Sequence, residues 1–164
     1  MEFFVTHQTV EHYSGDCAVA FIFKDKAHQN KDLQQLLKLN RFDAIVGATL
    51  MLSRVSGYKT KRLLVVGLGD SSLNEKNYMK VLNSLSSALS DAKVKNVVIP
   101  DIQIDNRDES WVQLTTARVL KNASYQVEKV DAKEEHEKGT LEAINIYSEN
   151  NDATEINKGL AIAN

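Results

Sequence analysis

Arg62-Leu63-Leu64-Val65-Val66-Gly67-Leu68-Gly69-Asp70 decides the fold class. Leu63 to Val66 is a short, uninterrupted apolar run ending in β-branched residues, the pattern of a strand covered on both faces of a sheet. Gly67 and Gly69 end the run around Leu68, and the residues that follow carry helical spacing. Strand, glycine turn and helix make half of a βαβ unit, so this segment is expected at the centre of an α/β sheet. The first functional question is whether the two glycines cradle a phosphate or only turn the chain.

Downstream of the turn, Ser72-x-x-Glu75 reads as a capping box, with the serine hydroxyl accepting from a free N–H and the glutamate reaching back. Tyr78, Leu82, Leu85 and Leu89 then share one helical face, widened by Val81, Ala88 and Ala92. A strand is expected over 94–99, stopped by Pro100, the only proline. Asp105, Asn106 and Asp108 offer N-caps for a helix with Trp111, Leu114, Ala117 and Leu120 along one side. Residues 125–130 read as a strand, and 131–140 as a charged crossing with no core to bury. Residues 142–147 alternate as a strand, and 154–163 begin a helix.

Upstream, 2–10 carries Phe3, Phe4, Val5 and Val10 and reads as a strand. Tyr13-Ser14-Gly15-Asp16 is turn chemistry, and 17–23 is a buried strand. From Lys31, the spacing of Leu33, Leu36 and Leu37 is helical, broken near 40–43. Residues 44–55 are apolar almost throughout and read as a second, largely buried helix. The turn at 57–61 leads into the central strand, and its Lys59, Lys61, Arg62 cluster reads as a solvated turn. The element order β-β-α-α-β-α-β-α-β-β-α predicts one α/β domain with a mixed sheet covered on both faces.

At 164 residues the chain is long enough for one domain with a proper core. Hydrophobic residues at 43% and charged residues at 26% are ordinary for a soluble globular protein. The formal charge of −2 supplies no electrostatic footprint for nucleic acid or an anionic membrane. Cys17 is the only cysteine, so an internal disulfide and a thiolate zinc site are excluded, and a reducing cytoplasm is the expected location. No apolar run approaches the roughly 20 residues of a membrane span, and Met1-Glu2-Phe3-Phe4-Val5 lacks the basic start of a signal peptide.

The chemical templates fail one after another. A dinucleotide fingerprint needs its third glycine where Ser72 stands, and Asp70 brings a carboxylate to the place a pyrophosphate would occupy. The turn therefore reads as structural. The chain has no Gly-x-Ser-x-Gly elbow, no Walker loop and no His-Glu-x-x-His. His7 and His12, five residues apart on a strand, face opposite sides and read as surface or strand-edge residues. Ser84, Ser86, Ser87 and Ser90 read as the polar side of a helix without a base. Glu134, Glu135 and Glu137 around His136 read as a solvated loop, and Trp111 as core or an interface anchor.

The chain resembles the N-terminal domain of a leucine aminopeptidase, a member of the cytosol aminopeptidase family of two-metal exopeptidases. Met1-Glu2-Phe3-Phe4-Val5 resembles the family's opening strand, and residues 62–69 resemble its central strand and glycine turn. A helix beginning near Asn77-Tyr78 follows, and Trp111 falls where some bacterial members carry tryptophan in the next helix. Residues 155–163, Glu-Ile-Asn-Lys-Gly-Leu-Ala-Ile-Ala, resemble the helix that links to the catalytic domain. The resemblance implies a three-layer α/β/α fold with a mixed central sheet, similar to the macro domain. It implies a macro-like N-terminal domain over residues 1–150 and the start of the linking helix over 151–164.

The resemblance also implies that the two divalent metals (zinc or manganese), their ligands and the catalytic lysine belong to a C-terminal catalytic domain, the partner of this one, and that the full enzyme is a homo-hexamer. The stretch Asn151-Asp152-Ala153-Thr154-Glu155 is superficially similar to the family's metal motif, but its order differs and no Gly-Arg follows. No catalytic, cofactor-binding or metal-binding residue is therefore assigned, and the chain alone is expected to be inactive. The expected function is that of a non-catalytic domain shaping active-site access and oligomer assembly. The alternatives are a free-standing macro-like module binding ADP-ribose or another nucleotide, and a DNA-binding accessory domain, which the net negative charge opposes.

Overall fold

A computed structural model describes residues 2–134 and 141–149, with side chains described outside 124–134. The elements run β1 (Glu2–Thr6), β2 (Cys17–Phe23), α1 (Lys31–Leu39), β3 (Thr49–Ser53), β4 (Arg62–Gly69), α2 (Glu75–Asp91), β5 (Asn96–Ile99), α3 (Glu109–Glu134) and β6 (Ala143–Tyr147). The six strands form one sheet in the order β1-β6-β5-β2-β4-β3, in which only the β3–β4 pair is antiparallel.

Alternation along the central strands assigns the layers. Leu64, Val66 and Leu68 of β4 and Val19 of β2 pack with Tyr78, Leu82 and Leu85 of α2 and Ala117 and Leu120 of α3. Leu63 and Val65 of β4 and Ala18, Ala20 and Ile22 of β2 pack with Leu33 and Leu37 of α1. One helix on one face and two on the other make a three-layer α/β/α fold with a mixed sheet.

Several local readings need correction. Residues 44–55 do not form a helix: 44–48 form a connecting segment and Thr49–Ser53 is the edge strand β3. A short apolar run has no period that separates strand from buried helix, and Gly47, at φ +85°, turns the chain within it. The N-cap of α2 is Asn74, not Ser72: its Oδ1 accepts from the Asn77 N–H at 2.8 Å. Glu75 accepts from Arg107 Nε and Nη2 instead of closing a capping box. Residues 125–130 are helical, because no glycine or proline interrupts the chain between Glu109 and Glu134. Asp108 caps that helix by accepting from the Trp111 N–H at 2.9 Å. The expected helix over 154–163, the domain boundary near 150 and the Asn151–Glu155 stretch lie outside the described residues.

Arg62 is not part of a solvated turn. Its side chain is about three-quarters buried and its Nε and Nη2 donate to both carboxylate oxygens of Asp16 at 2.9–3.2 Å, while Nη1 donates to the Ala92 carbonyl at the end of α2 at 2.6 Å. Asp16 also accepts from the Lys95 N–H at 2.9 Å. Asn96 Oδ1 accepts from the Asp16 N–H and the Tyr13 hydroxyl, and Asn145 Nδ2 donates to that hydroxyl in turn. This network ties the N-terminal ends of β2, β4 and β5 to the middle of β6. A Cβ on Gly15 would collide with Asn96 Oδ1 and stand 2.6 Å from the Tyr13 ring, so a larger residue there would push these two side chains of the network aside.

Burial raises the Asp16 pKa, but the hydrogen bonds and charge of Arg62 and the Lys95 N–H outweigh it and hold the carboxyl below its ordinary range. A carboxyl with a lowered folded pKa contributes stability that is complete above its unfolded pKa and is lost as pH falls through the folded value. Asp16→Asn is expected to lower stability at pH 7 by about 2 kcal/mol, since it removes charge-assisted bonds from a half-buried site. Its stability should also fall less than the parent's as pH drops below about 4. Urea unfolding at pH 7 and pH 3 checks both effects; an unchanged acid limb would show that the pair does not set the pH dependence.

Candidate functional site

Ligands in open α/β sheets bind beyond the carboxyl ends of the parallel strands, where neighbouring connections leave for opposite faces. Here β2 leads into α1 on one face, while its neighbours β4 and β5 lead into α2 and α3 on the other. Gly67, Leu68 and Gly69 do not end the strand as the sequence suggested: they are the last residues of β4 itself, Gly67 and Gly69 paired with β2, and this glycine turn lies at the switch point.

The donors of that turn are already committed. The Gly67 N–H donates to the Ala48 carbonyl at 2.7 Å and the Gly69 N–H to the Ala44 carbonyl at 2.8 Å. The Gly67 carbonyl accepts from Gly47, and the Gly69 carbonyl from Lys24 at 2.7 Å. A Cβ on Gly67 would collide with the Ile45 carbonyl oxygen and stand 2.8 Å from the Ala44 carbonyl carbon. Gly69 has φ +78°, a left-handed conformation suited to glycine. Both glycines therefore serve the crossing of 44–48 over β4. An anion there would have to displace backbone bonds, and Asp70 stands exposed beside it.

The crevice next to the turn is bridged. Lys26 Nζ donates to the Ser71 carbonyl at 3.2 Å and lies 4.5 Å from the centre of the Phe23 ring. The hollow below, about 350 Å³, is floored by Phe21, Leu68 and Leu73 and carries Asp101 and Asp105 at its rim. Burial, with Glu109 and Glu149 adding repulsion, raises the Asp101 pKa. One lysine against several carboxylates is a poor match for a pyrophosphate.

The other residues singled out from the sequence stay apart. His7 bonds to the Ser148 carbonyl through Nδ1 at 2.7 Å, and His12 Nδ1 to Thr9 Oγ1 at 2.6 Å. Among the serines of α2, Ser86 departs from expectation: its Oγ is buried, with no hydrogen-bond partner, so it is not on the polar side. Trp111 packs partly buried against the core with the Arg107 guanidinium 4.8 Å over its ring. Burial pushes the Cys17 thiol up to about 12, which leaves it unreactive. Glu134 ends α3, while Glu135, His136 and Glu137 lie outside the described residues. Among the described residues, no group of three or more His, Cys, Asp or Glu side chains is placed to hold a metal ion, and no helix is long and apolar enough to cross a membrane.

Sequence reasoning missed the Asp16–Arg62 pair and the Lys26–Phe23 bridge. Asp16 and Arg62 lie 46 positions apart, and Lys26, three residues from Phe23, reaches the Ser71 carbonyl 45 positions away.

The family described as "Cytosol aminopeptidase family, N-terminal domain" matches residues 17–134. A probable cytosol aminopeptidase of Vesicomyosocius okutanii is 37% identical over 163 residues, covering 99% of this chain and 34% of that protein. One from Nitrosomonas europaea is 26% identical over 182 residues, covering 99% of this chain and 36% of its own length. The chain thus spans about a third of the length of the curated relatives it matches. Among solved structures, a mutant tomato leucine aminopeptidase superposes with TM-score 0.66 at 20% identity, over 99% of this chain and 35% of its own. A Trypanosoma brucei macrodomain superposes with TM-score 0.61 at 12% identity, over 97% of this chain and 67% of its own. At these identities the structural likenesses concern the fold, which is that of the aminopeptidase N-terminal domain and of macrodomains.

Gly67→Ala is expected to cost about 3 kcal/mol, because the new methyl meets backbone that cannot rotate away. Gly69→Ala, where the obstacle is a Val46 methyl and the penalty is conformational, should cost about 1–2 kcal/mol. Urea denaturation of the two variants measures the difference; equal costs would mean that the crossing at Ala44–Ile45 is not rigid.

Proposed function

This chain belongs to the cytosol aminopeptidase family, matching its N-terminal domain, and we propose that it serves there as a non-catalytic domain. It would shape access to the active site of a C-terminal catalytic domain and contribute to a homo-hexamer, in an enzyme that works in the cytoplasm and releases N-terminal amino acids from peptides. Residues 1–150 would form the macro-like unit and 151–164 the start of the linking helix. The observation that carries this reading is the 37% identity along nearly the whole chain to about a third of a cytosol aminopeptidase.

Hydrolysis by a two-metal enzyme needs carboxylate and other ligands that hold two divalent ions, zinc or manganese, about a water. The described residues offer no such donor set. In this reading no step of the hydrolysis is assigned to this chain, and its contribution would be shape and contact.

The reading as a free-standing nucleotide module fares worse on geometry, because the glycine turn has its N–H groups bonded within the fold and carboxylates at its rim. A test uses the pure 164-residue chain beside a longer enzyme in which it is joined to a catalytic domain of the family. The chain with Mn²⁺ or Zn²⁺ is expected to release no leucine from leucinamide, and the longer enzyme to release it and to show six copies by native mass spectrometry. Metal-dependent release by the chain alone, or a monomeric active enzyme, would contradict the proposal.

A further inference from the structure

A second hollow lies at the carboxyl ends of β2, β5 and β6, about 280 Å³ in volume and floored by apolar residues such as Val10 and Ala20. Its walls include the aromatic rings of Phe21, Tyr58 and Tyr147, and Glu11 and Asp101 bring carboxylates to it. It opens into a broader hollow through shared walls at Thr9, Glu11, His28 and Tyr58, and Asp32 adds a third carboxylate there. Neither hollow is lined by a lysine or an arginine among the described residues. The nearest cations line the neighbouring hollows: Lys24, Lys38 and Arg41 the one against α1, which shares His28 with the cleft, and Lys26 the one beside Leu73, which shares Phe21 and Asp101.

The titrating groups around the cleft report a field of one sign. Burial and then Glu11 push the Tyr58 hydroxyl up to about 12. A hydrogen bond to Glu149, then burial and the charges of Glu149, Asp101 and Glu11, raise Tyr147. Burial lowers the His28 pKa against the pull of Glu11, and its Nδ1 accepts from the Asn30 N–H at 3.0 Å, as a neutral imidazole does. The charges that shift these three side chains are carboxylates.

We propose that this cleft binds a small organic ammonium ion, with the carboxylates of Glu11 and Asp101 beside the charge and the aromatic and aliphatic walls around the carbon skeleton. At about 280 Å³ the hollow lies just below the usual range of small-molecule sites, roughly 300–1,000 Å³, and so suits a small ligand. Anionic edges and aromatic walls without a cation select positive charge carried on carbon. A bare divalent ion is a weaker match, since it requires several converging oxygen ligands and the described residues form no such group. The same carboxylates repel phosphates. The site is independent of the aminopeptidase reading and survives its failure.

Isopentylammonium, isopentanol and isovalerate are near-isosteric probes of charge +1, 0 and −1, and calorimetric titration of the 164-residue chain compares them. The ammonium ion is expected to saturate one site at least about tenfold more tightly than either other probe, weakening as salt is raised. Glu11→Gln and Asp101→Asn, both at exposed positions, should each weaken it about threefold to fivefold. Glu142→Gln, which removes a carboxylate from the opposite end of the sheet, should leave it unchanged. Circular dichroism checks that the variants keep the parent fold, and NMR shifts should centre on the rings of Tyr58 and Tyr147. Absence of saturable binding, equal affinity for the alcohol, or an equal loss in Glu142→Gln would overturn the proposal.

Discussion

The crossing of residues 44–48 over β4 is the contact on which the rest of the molecule depends. It brings the Ala44 and Ile45 backbone against Gly67 so closely that no Cβ fits between them. It fixes β3 as the antiparallel edge, because Gly67 and Ala48 bond one residue beyond the Thr49–Val66 pair. The Lys24 N–H meets the Gly69 carbonyl just past the register shift between Ile22 and Phe23, where β2 ends. It decides function by the same means. N–H groups bonded to Ala44 and Ala48 are not open to a phosphate, so a turn with the outline of a nucleotide loop is an element of packing.

The two ends of the sheet differ accordingly. The amino-terminal ends are closed by Asp16, Arg62, Asn96, Tyr13 and Asn145, whose hydrogen bonds satisfy one another across four strands. The carboxyl-terminal ends are open, with hollows that carry Glu11 and Asp101, then Asp101, Asp105 and Lys26, then Lys24, Lys38, Arg41 and Asp43. On α2 and α3 the core is equally specific: the buried Tyr78 hydroxyl and Thr116 Oγ1 lie 2.5 Å apart, and Thr116 donates on to the Val112 carbonyl. That chain of bonds fixes how α3 sits against α2 where apolar contacts alone would allow sliding.

What the sequence made legible was local. Val65 and Val66 with the two glycines marked the central strand, and the stripe from Tyr78 to Leu89 marked the helix after it, because both signals are complete within one element. Asp108 was legible as a cap for the same reason. Residues 44–55 were misread because their apolar run has no period, and the strand they contribute is decided by pairing with β4. Arg62 was read with Lys59 and Lys61 as surface charge because its partner, Asp16, lies 46 positions earlier. The cleft lined by Glu11, His28, Tyr58, Asp101 and Tyr147 draws each residue from a different segment, and no spacing rule gathers them. Family membership was legible from the order of short stretches, each weak alone.

The central claim is that this macro-like sheet carries its glycine turn for packing and acts as an accessory to a catalytic domain, not as a nucleotide receptor. Calorimetric titration of the 164-residue chain with ADP-ribose tests that claim most directly. The account predicts no saturable heat at submillimolar ligand, because the backbone donors at Gly67 and Gly69 are engaged and the rim is anionic. Saturable one-to-one binding of ADP-ribose, with NMR shifts at the Gly67 and Gly69 amides, would contradict it.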